Sequence, residues 1–341
     1  MAFCKWSVIG FCALSFGQRA ITTQQGTMQQ LAVFSTSAAG GVDEETLTEL
    51  IRAADITGSD DTQLGNDTIT CLANGIAYET AIHIDTNGDT AGNTAGDADT
   101  LLSALRPMAD AAGIDVNIVP AGGRRKKLLI ADMDSTIITS ESLDDMAVMA
   151  GLEDKVLPVT RRAMNGELDF TAALDERIAL FAGQPASLMT DALADASMTA
   201  GAQTLVRTMQ ANGAHCYLIS GGFTAITGPI AAACGFDGHH ANILDVEDGK
   251  LTGTVARPIL DGDAKLHFMK HYCAELGLGR EQVAAVGDGS NDLAMLSHAS
   301  FGVAFHGKPS LRQTISMQLN HTDLTGLLYI QGYRQQDFVS G

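Results

Sequence analysis

Leu128-Leu-Ile-Ala-Asp132-Met-Asp134-Ser-Thr136 decides how this chain is read. Four consecutive apolar residues form a strand buried on both faces. Two carboxylates, two residues apart, stand where that strand ends. With a side-chain period of two, Asp132 and Asp134 face one side while Met133 packs on the other. Carboxyl ends of parallel strands are where α/β folds place ligands. Acids at that edge offer hard oxygen ligands to Mg²⁺, and a carboxylate can also be the nucleophile of phosphoryl transfer. Taken alone, the pair reads more readily as caps of a following helix.

Downstream, apolar runs at 216–219, 283–286 and 301–304 repeat the pattern. Helices are expected over 143–150, 200–212, 223–233, 263–276 and 291–297, and this alternation implies a parallel sheet. Residues 137–198 read as helical throughout, an insert after the first strand. Three more motifs fall at strand ends or helix starts. Ser220-Gly221-Gly222 follows one strand and opens a helix, presenting a hydroxyl and backbone N–H groups to an anion. Lys265 stands near the start of another helix. Gly287-Asp288-Gly-Ser-Asn291-Asp292 follows the strand 283–286 and lacks the third glycine of a dinucleotide fingerprint.

The order D-x-D-S-T, S-G-G, Lys, G-D-G-x-N-D resembles the haloacid dehalogenase (HAD) superfamily of phosphohydrolases, closely its phosphoserine-hydrolysing members, over about 125–335. The resemblance implies a HAD-type Rossmann-like parallel sheet with a small helical cap. It also implies a Mg²⁺-dependent hydrolysis of O-phospho-L-serine, the last step of serine synthesis, through an aspartyl-phosphate. Asp132 would be the nucleophile and Asp134 the acid/base. Mg²⁺ would be held by Asp132, the Asp134 main chain and Asp288. Ser220, Gly221 and Lys265 would hold the phosphoryl oxygens, Asn291 would add a phosphate- or substrate-side contact, and Asp292 would orient Lys265 or the water at the metal. Glu141 and Arg177, both from the insert, would clamp the ammonium and carboxylate of the amino acid. Met164 and Phe170 would be apolar lid contacts. Phosphohomoserine or a sugar phosphate as substrate, a phosphotransferase, and a regulatory amino-acid-binding protein are the rival readings.

The amino-terminal part has another grain. Strand-like 29–36, a helix from about 43 to 54, strands 67–73 and 76–84 around Ala73-Asn74-Gly75, a helix 99–112 and a strand 114–119 give a β-α-β-β-α-β, ferredoxin-like (ACT-like) α+β order. The division expected is 1–28 extension, 29–121 ACT-like domain, 122–136 with 199–341 phosphatase core, and 137–198 cap. Ser7–Gly17 has the outline of a signal peptide and reads instead as part of an extension, with Met28 opening the ordered protein. Asp85–Asp89 imitates a calcium loop but lacks its later Gly and Glu, so 85–98 reads as a polar loop. Arg124-Arg125-Lys126-Lys127 reads as the solvated entry to the strand that follows.

Composition bounds the rest. The net charge of −19 over 341 residues argues against nucleic acid and an anionic membrane surface as partners. The deficit is split as −11 before residue 124 and −8 from it onward. A chain with 45% hydrophobic and 18% charged residues is not disordered. Six scattered cysteines without a C-x-x-C pair read as reduced residues of a cytoplasmic protein. A homodimer through the amino-terminal domain is the one protein partner considered.

Overall fold

Two sheets meet edge to edge. The computed structural model describes residues 30–37, 41–57, 62–64, 69–84, 94–164 and 167–340. The expected extension and most of the polar loop 85–98 lie outside these residues. The first sheet is built from β1 (Gln30–Ser35), β2 (Thr62–Leu64), β3 (Thr70–Ala73), β4 (Ala77–Ile84) and β5 (Asp115–Pro120), with α1 (Glu44–Thr57) and α2 (Thr94–Ala111). Its antiparallel order β2-β4-β1-β5, with β3 also on β4, is that of a ferredoxin-like unit. Leu47, Ile51, Leu101 and Leu105 from the two helices bury against Phe34, Tyr78 and Val116 of the sheet. The strand expected over 67–73 begins at Thr70, and the short β2, pairing the far end of β4, was not legible.

The second sheet follows from β6 (Leu128–Ala131). The insert comes next as α3 (Ser142–Met149), α4 (Glu153–Met164), α5 (Phe170–Ala179) and α6 (Leu188–Asp195). Then follow α7 (Ala202–Ala211), β7 (His215–Phe223), α8 (Thr224–Cys234), β8 (Gly238–Asn242), β9 (Leu244–Glu247) and β10 (Lys250–Val255). The chain continues through α9 (Gly262–Leu276), β11 (Val283–Gly287), α10 (Leu293–His298), β12 (Phe301–Phe305) and β13 (Met317–Leu319). The order is β13-β12-β11-β6-β7-β8, and every pair is parallel. Strands to either side of β6 come later in the chain, so the order reverses there. The crevice at its carboxyl end is where such sheets bind ligands.

The apolar runs at 128–131, 216–219, 283–286 and 301–304 are the four central strands, buried from both faces. Edge strands β8 (Gly-His-His-Ala-Asn) and β13 (Met-Gln-Leu) carry too few apolar residues to stand out. A second difference concerns the insert. The antiparallel hairpin β9–β10 comes from the core segment and braces it, with the Gly183 N–H donating to the Leu251 carbonyl at 2.8 Å and the Ala186 N–H to Gly249 at 2.9 Å. The two strands linking the insert to the core run side by side through Ile138 and Met198.

The basic run is not a solvated strand entry. Arg124 and Lys126 are buried, at 8% and 3% exposure, while Arg125 is exposed. The period of two of an extended chain turns alternate side chains inward. Arg124 donates to the carbonyls of Tyr329 and Ile330 at 3.0 Å each and pairs with Glu79 of the first sheet at 2.7 Å. Lys126 donates to the Gly123 and Glu281 carbonyls and lies over the Phe301 ring. A positive charge survives burial here because carbonyls, and for Arg124 a carboxylate, replace its water.

At the joint, edge strand β5 faces edge strand β13. The Asn117 carboxamide donates to the Gln318 carbonyl at 2.9 Å and accepts from its N–H at 2.8 Å, imitating a strand partner. Asp115 accepts from the N–H groups of Asn320, His321 and Thr322. These charge-assisted bonds are largely sealed from water, Asp115 being 3% exposed. Asp115→Ala is expected to lower stability by about 2–3 kcal/mol, since three backbone donors lose their acceptor. Urea unfolding at pH 7 measures it, and a change below 0.5 kcal/mol, the level of a surface substitution of roughly ±0.5 kcal/mol, contradicts this account.

Candidate active site

Asp132 is the first residue past β6, held extended, and its N–H donates to the Val286 carbonyl of β11 at 3.0 Å. The chain then turns sharply through Ser135, whose φ of 52° is left-handed. This turn lets the Asp134 Oδ1 accept from the Ser142 N–H at 2.9 Å and the Ser135 hydroxyl donate to Glu141 at 2.9 Å. The start of the insert is thereby tied to the strand end that carries the two acids.

Beneath the two acids lies a fully buried ammonium. Lys265 has no exposure, with its Nζ 2.5 Å from Asp132 Oδ1 and 2.6 Å from Asp292 Oδ1. Burial opposes its charge, but the two carboxylates outweigh that and raise its pKa. The other Asp292 oxygen accepts from the Gly289 N–H at 3.0 Å. Glycine at 287 is required by this packing, because a Cβ there would stand 2.4 Å from the Asp292 carboxyl. Lys265, which carries no motif in the sequence, is therefore the centre of an ionic triad.

Above it opens a cavity of about 240 Å³, lined by Asp132, Asp134, Glu141, Arg177, Asp288 and Asn291 among others. That is smaller than the pockets of roughly 300–1,000 Å³ that take drug-sized ligands, so it suits a small substrate. Of the positions expected in the site, Ser220, Lys265 and Asp292 do not line the cavity but lie buried behind it. Ser220 Oγ accepts from the Gly222 N–H at 2.9 Å. Gly221 and Gly222 do line it, and a Cβ on Gly222 would reach 3.0 Å from Asp134 Oδ2. Phe170 comes from the insert and touches Gly221, where an added Cβ would meet its ring at 3.0 Å. The Met164 side chain lies outside the described residues.

Carboxylate oxygens of Asp132, Asp288 and Asp292 lie within 4.8 Å of one another, a group able to hold a metal ion among the described residues. Both Asp292 oxygens already serve Lys265 and Gly289, whereas Asp132 and Asp288 face the cavity. Burial first, then Asp292, raises Asp132 well above the carboxylate range against the pull of Lys265. Burial also raises Asp288, opposed by Lys308. Buried acids short of positive charge, with free hard oxygens, fit a divalent cation such as Mg²⁺.

Sequence reasoning missed Lys308. Its Nζ lies 3.0 Å from Asp288 and 3.5 Å from Glu141, and its N–H donates to the Asp288 carbonyl at 2.9 Å. It sits in a loop after β12, in a stretch without any motif of its own. Burial works against its charge, but Asp288 and Glu141 raise its pKa overall. Arg177 is shifted down by burial and held up by Asp144 and Glu141.

Comparison with known proteins adds the following. The family model of haloacid dehalogenase-like hydrolases matches residues 129–297. A phosphoserine phosphatase of Streptomyces coelicolor is 39% identical over 71% of this chain and 59% of its own length. The chain thus spans less than two thirds of that relative. A solved phospho-aspartyl intermediate analogue of phosphoserine phosphatase is 34% identical, with a TM-score of 0.56 over 60% of this chain and 98% of its own. A HAD family hydrolase from Salmonella enterica serovar Typhi matches with a TM-score of 0.74 at 25% identity, over 88% of this chain and 98% of its own.

Burial raises Asp134 to about 6, against the Ser142 N–H bond that favours its charge. A carboxyl raised by folding binds its proton more tightly in the native state, so stability is lost as pH rises from about 4 to about 6. In metal-free buffer, Asp134→Asn is expected to melt several degrees above the wild type at pH 7. The gain should vanish at pH 4, where both side chains are neutral. Thermal melts at the two pH values test this, and a lower Tm at pH 7 refutes it.

Proposed function

The chain belongs to the haloacid dehalogenase-like hydrolases, and from that premise we propose that it hydrolyses O-phospho-L-serine to L-serine and phosphate with Mg²⁺. The observation that carries the reading is one small cavity lined by Asp132 and Asp134 together with Glu141 and Arg177. Relatives named phosphoserine phosphatase, and one solved as a phospho-aspartyl analogue, support it.

In this reading Asp132 attacks phosphorus, and the bond from phosphorus to the serine oxygen breaks. Asp134 gives its proton to that oxygen as it leaves. A pKa near 6 keeps a protonated fraction available near neutrality. Water then attacks the aspartyl-phosphate, Asp134 takes its proton, and phosphate leaves with Asp132 restored. Lys265 aims Asp132 and draws its carboxyl toward the ionised form, against the burial that raises it. Ser220 and the Gly221 N–H would hold phosphoryl oxygens, with Asn291 at the cavity wall. Mg²⁺, held by Asp132, Asp288 and the Asp134 carbonyl, would supply positive charge against repulsion between nucleophile and phosphate dianion.

Glu141 and Arg177 set the substrate class. An anion for an ammonium and a guanidinium fork for a carboxylate describe an α-amino acid. Phe170 and Leu174 close the apolar side of the cavity and keep out water. A sugar phosphate gives this clamp nothing to hold.

Phosphate release from a panel of phosphomonoesters, with Mg²⁺ and with EDTA, tests the proposal. Phosphoserine should be preferred and turnover should need the metal. Asp132→Asn should abolish turnover in a folded protein, and Asp134→Asn should cost about 10²–10⁴-fold in kcat. Arg177→Ala should lower the preference for phosphoserine about ten- to a hundredfold, the loss of hydrogen bonds to a charged group. Equal rates on sugar phosphates that Arg177→Ala leaves unchanged would discard the serine assignment. No release from any ester would favour an amino-acid-binding protein, and new phosphoesters formed from added alcohols would mark a phosphotransferase.

A further inference from the structure

We propose that Asn242 is a positioning residue for phosphoryl binding, its carboxamide standing in for the strand partner that the Ser220-Gly221-Gly222 loop lacks. The inference rests on the phosphohydrolase reading of the site and adds a residue that does not touch substrate.

The backbone register shows why such a residue is needed. Strand β8 pairs Ile219 with His240 and then Phe223 with Asn242, so four steps along β7 are matched by two along β8. Ser220, Gly221 and Gly222 therefore bulge out of the ladder. Bulges of this kind re-aim side chains beside active sites, and they leave backbone groups unpaired. Here the lost partner is replaced by a side chain. Asn242, 3% exposed, donates from Nδ2 to the Gly221 carbonyl at 2.9 Å and to the Leu260 carbonyl at 3.1 Å. Its Oδ1 accepts from the Leu260 N–H at 2.7 Å.

Fixing the Gly221 carbonyl fixes a peptide plane. In a trans peptide the N–H points opposite to the C=O, and the Gly222 N–H of this peptide donates to Ser220 Oγ at 2.9 Å. With that lone pair engaged, the Ser220 hydroxyl is set to donate its own hydrogen to an anion. The second half of the carboxamide grips Leu260, just before Asp261, whose side chain caps α9 by accepting from the Ala264 N–H at 3.0 Å. That helix carries Lys265. One buried amide thus sets the spacing between the hydroxyl loop and the lysine helix.

The test uses full-length Asn242→Ala and Asn242→Asp beside the wild type. Orthophosphate affinity is followed by ³¹P NMR, Mg²⁺ affinity by calorimetry without phosphate, and kcat and KM with phosphoserine. Asn242→Asp keeps the acceptor for the Leu260 N–H and loses both donors, so it separates positioning from folding if the alanine variant unfolds. Both losses should be about tenfold or more, in orthophosphate affinity and in kcat, as expected for roughly one hydrogen bond. Mg²⁺ affinity should change less than about twofold, because Asp288 is not reached through this amide and Asp132 only at a remove, through α9 and Lys265. A folded variant with wild-type phosphate affinity and kcat overturns the proposal. So does a parallel loss of Mg²⁺ binding, which marks general loosening, or a failure of both variants to fold. A wild type that binds orthophosphate but turns over no phosphoserine sinks the substrate assignment alone, since phosphate affinity still reads the role of Asn242.

Discussion

The contact on which the site depends is the ammonium of Lys265 held between Asp132 and Asp292, with all three side chains at 5% exposure or less. Neither partner is dispensable in electrostatic terms. Without the lysine, two carboxylates would face each other inside the sheet edge, and one would have to take up a proton. With both acids ionised the triad carries one negative charge too many, and Asp134 and Asp288, once ionised, add to that surplus. The cavity is therefore built to attract positive charge on its metal side. Lys308 bridges Asp288 and Glu141 at the cavity wall, and Arg177 brings a further cation that meets Asp144 and Glu141.

The architecture delivers these groups from distant parts of the chain. β6, β7 and β11 each end at the same edge; β6 and β11 are followed by turns carrying a polar motif, and β7 carries Ser220-Gly221-Gly222 in the bulge at its end. The rigid parallel sheet fixes Asp132 and Asp288 through backbone bonds such as that from the Asp132 N–H to Val286. The insert supplies Glu141, Phe170, Leu174 and Arg177 to the cavity wall, and its two linking segments run antiparallel at Ile138 and Met198. Because Glu141 lies just after one of these segments, motion of the insert and placement of Glu141 are mechanically joined.

Legibility in the sequence followed burial and periodicity. The four central strands are unbroken apolar runs because they are covered on both faces, and the ends of two, β6 and β11, were marked by the acids that follow. The edge strand β8 and the hairpin β9–β10, half exposed and polar, and the three-residue β13 had no such signal. The basic run 124–127 misled because charge was read as exposure. Alternation turns Arg124 and Lys126 inward onto carbonyls that lie far away in sequence. Lys308 and Asn242 share that problem. Each acts through partners that only the fold brings near, and no local pattern announces them.

The joint between the sheets also has a temporal side. The bond between Asn117 and Gln318 spans 201 residues. At about 5–20 residues per second, a ribosome takes on the order of 10–40 s to make that stretch. During this interval the first sheet is complete, but its β5 edge has no neighbour. An exposed strand edge invites pairing with other chains, and polar or charged side chains on it discourage this. Asp115 and Asn117 thus meet two demands in succession. They keep the nascent edge soluble while it waits, and they recognise β13 when it arrives.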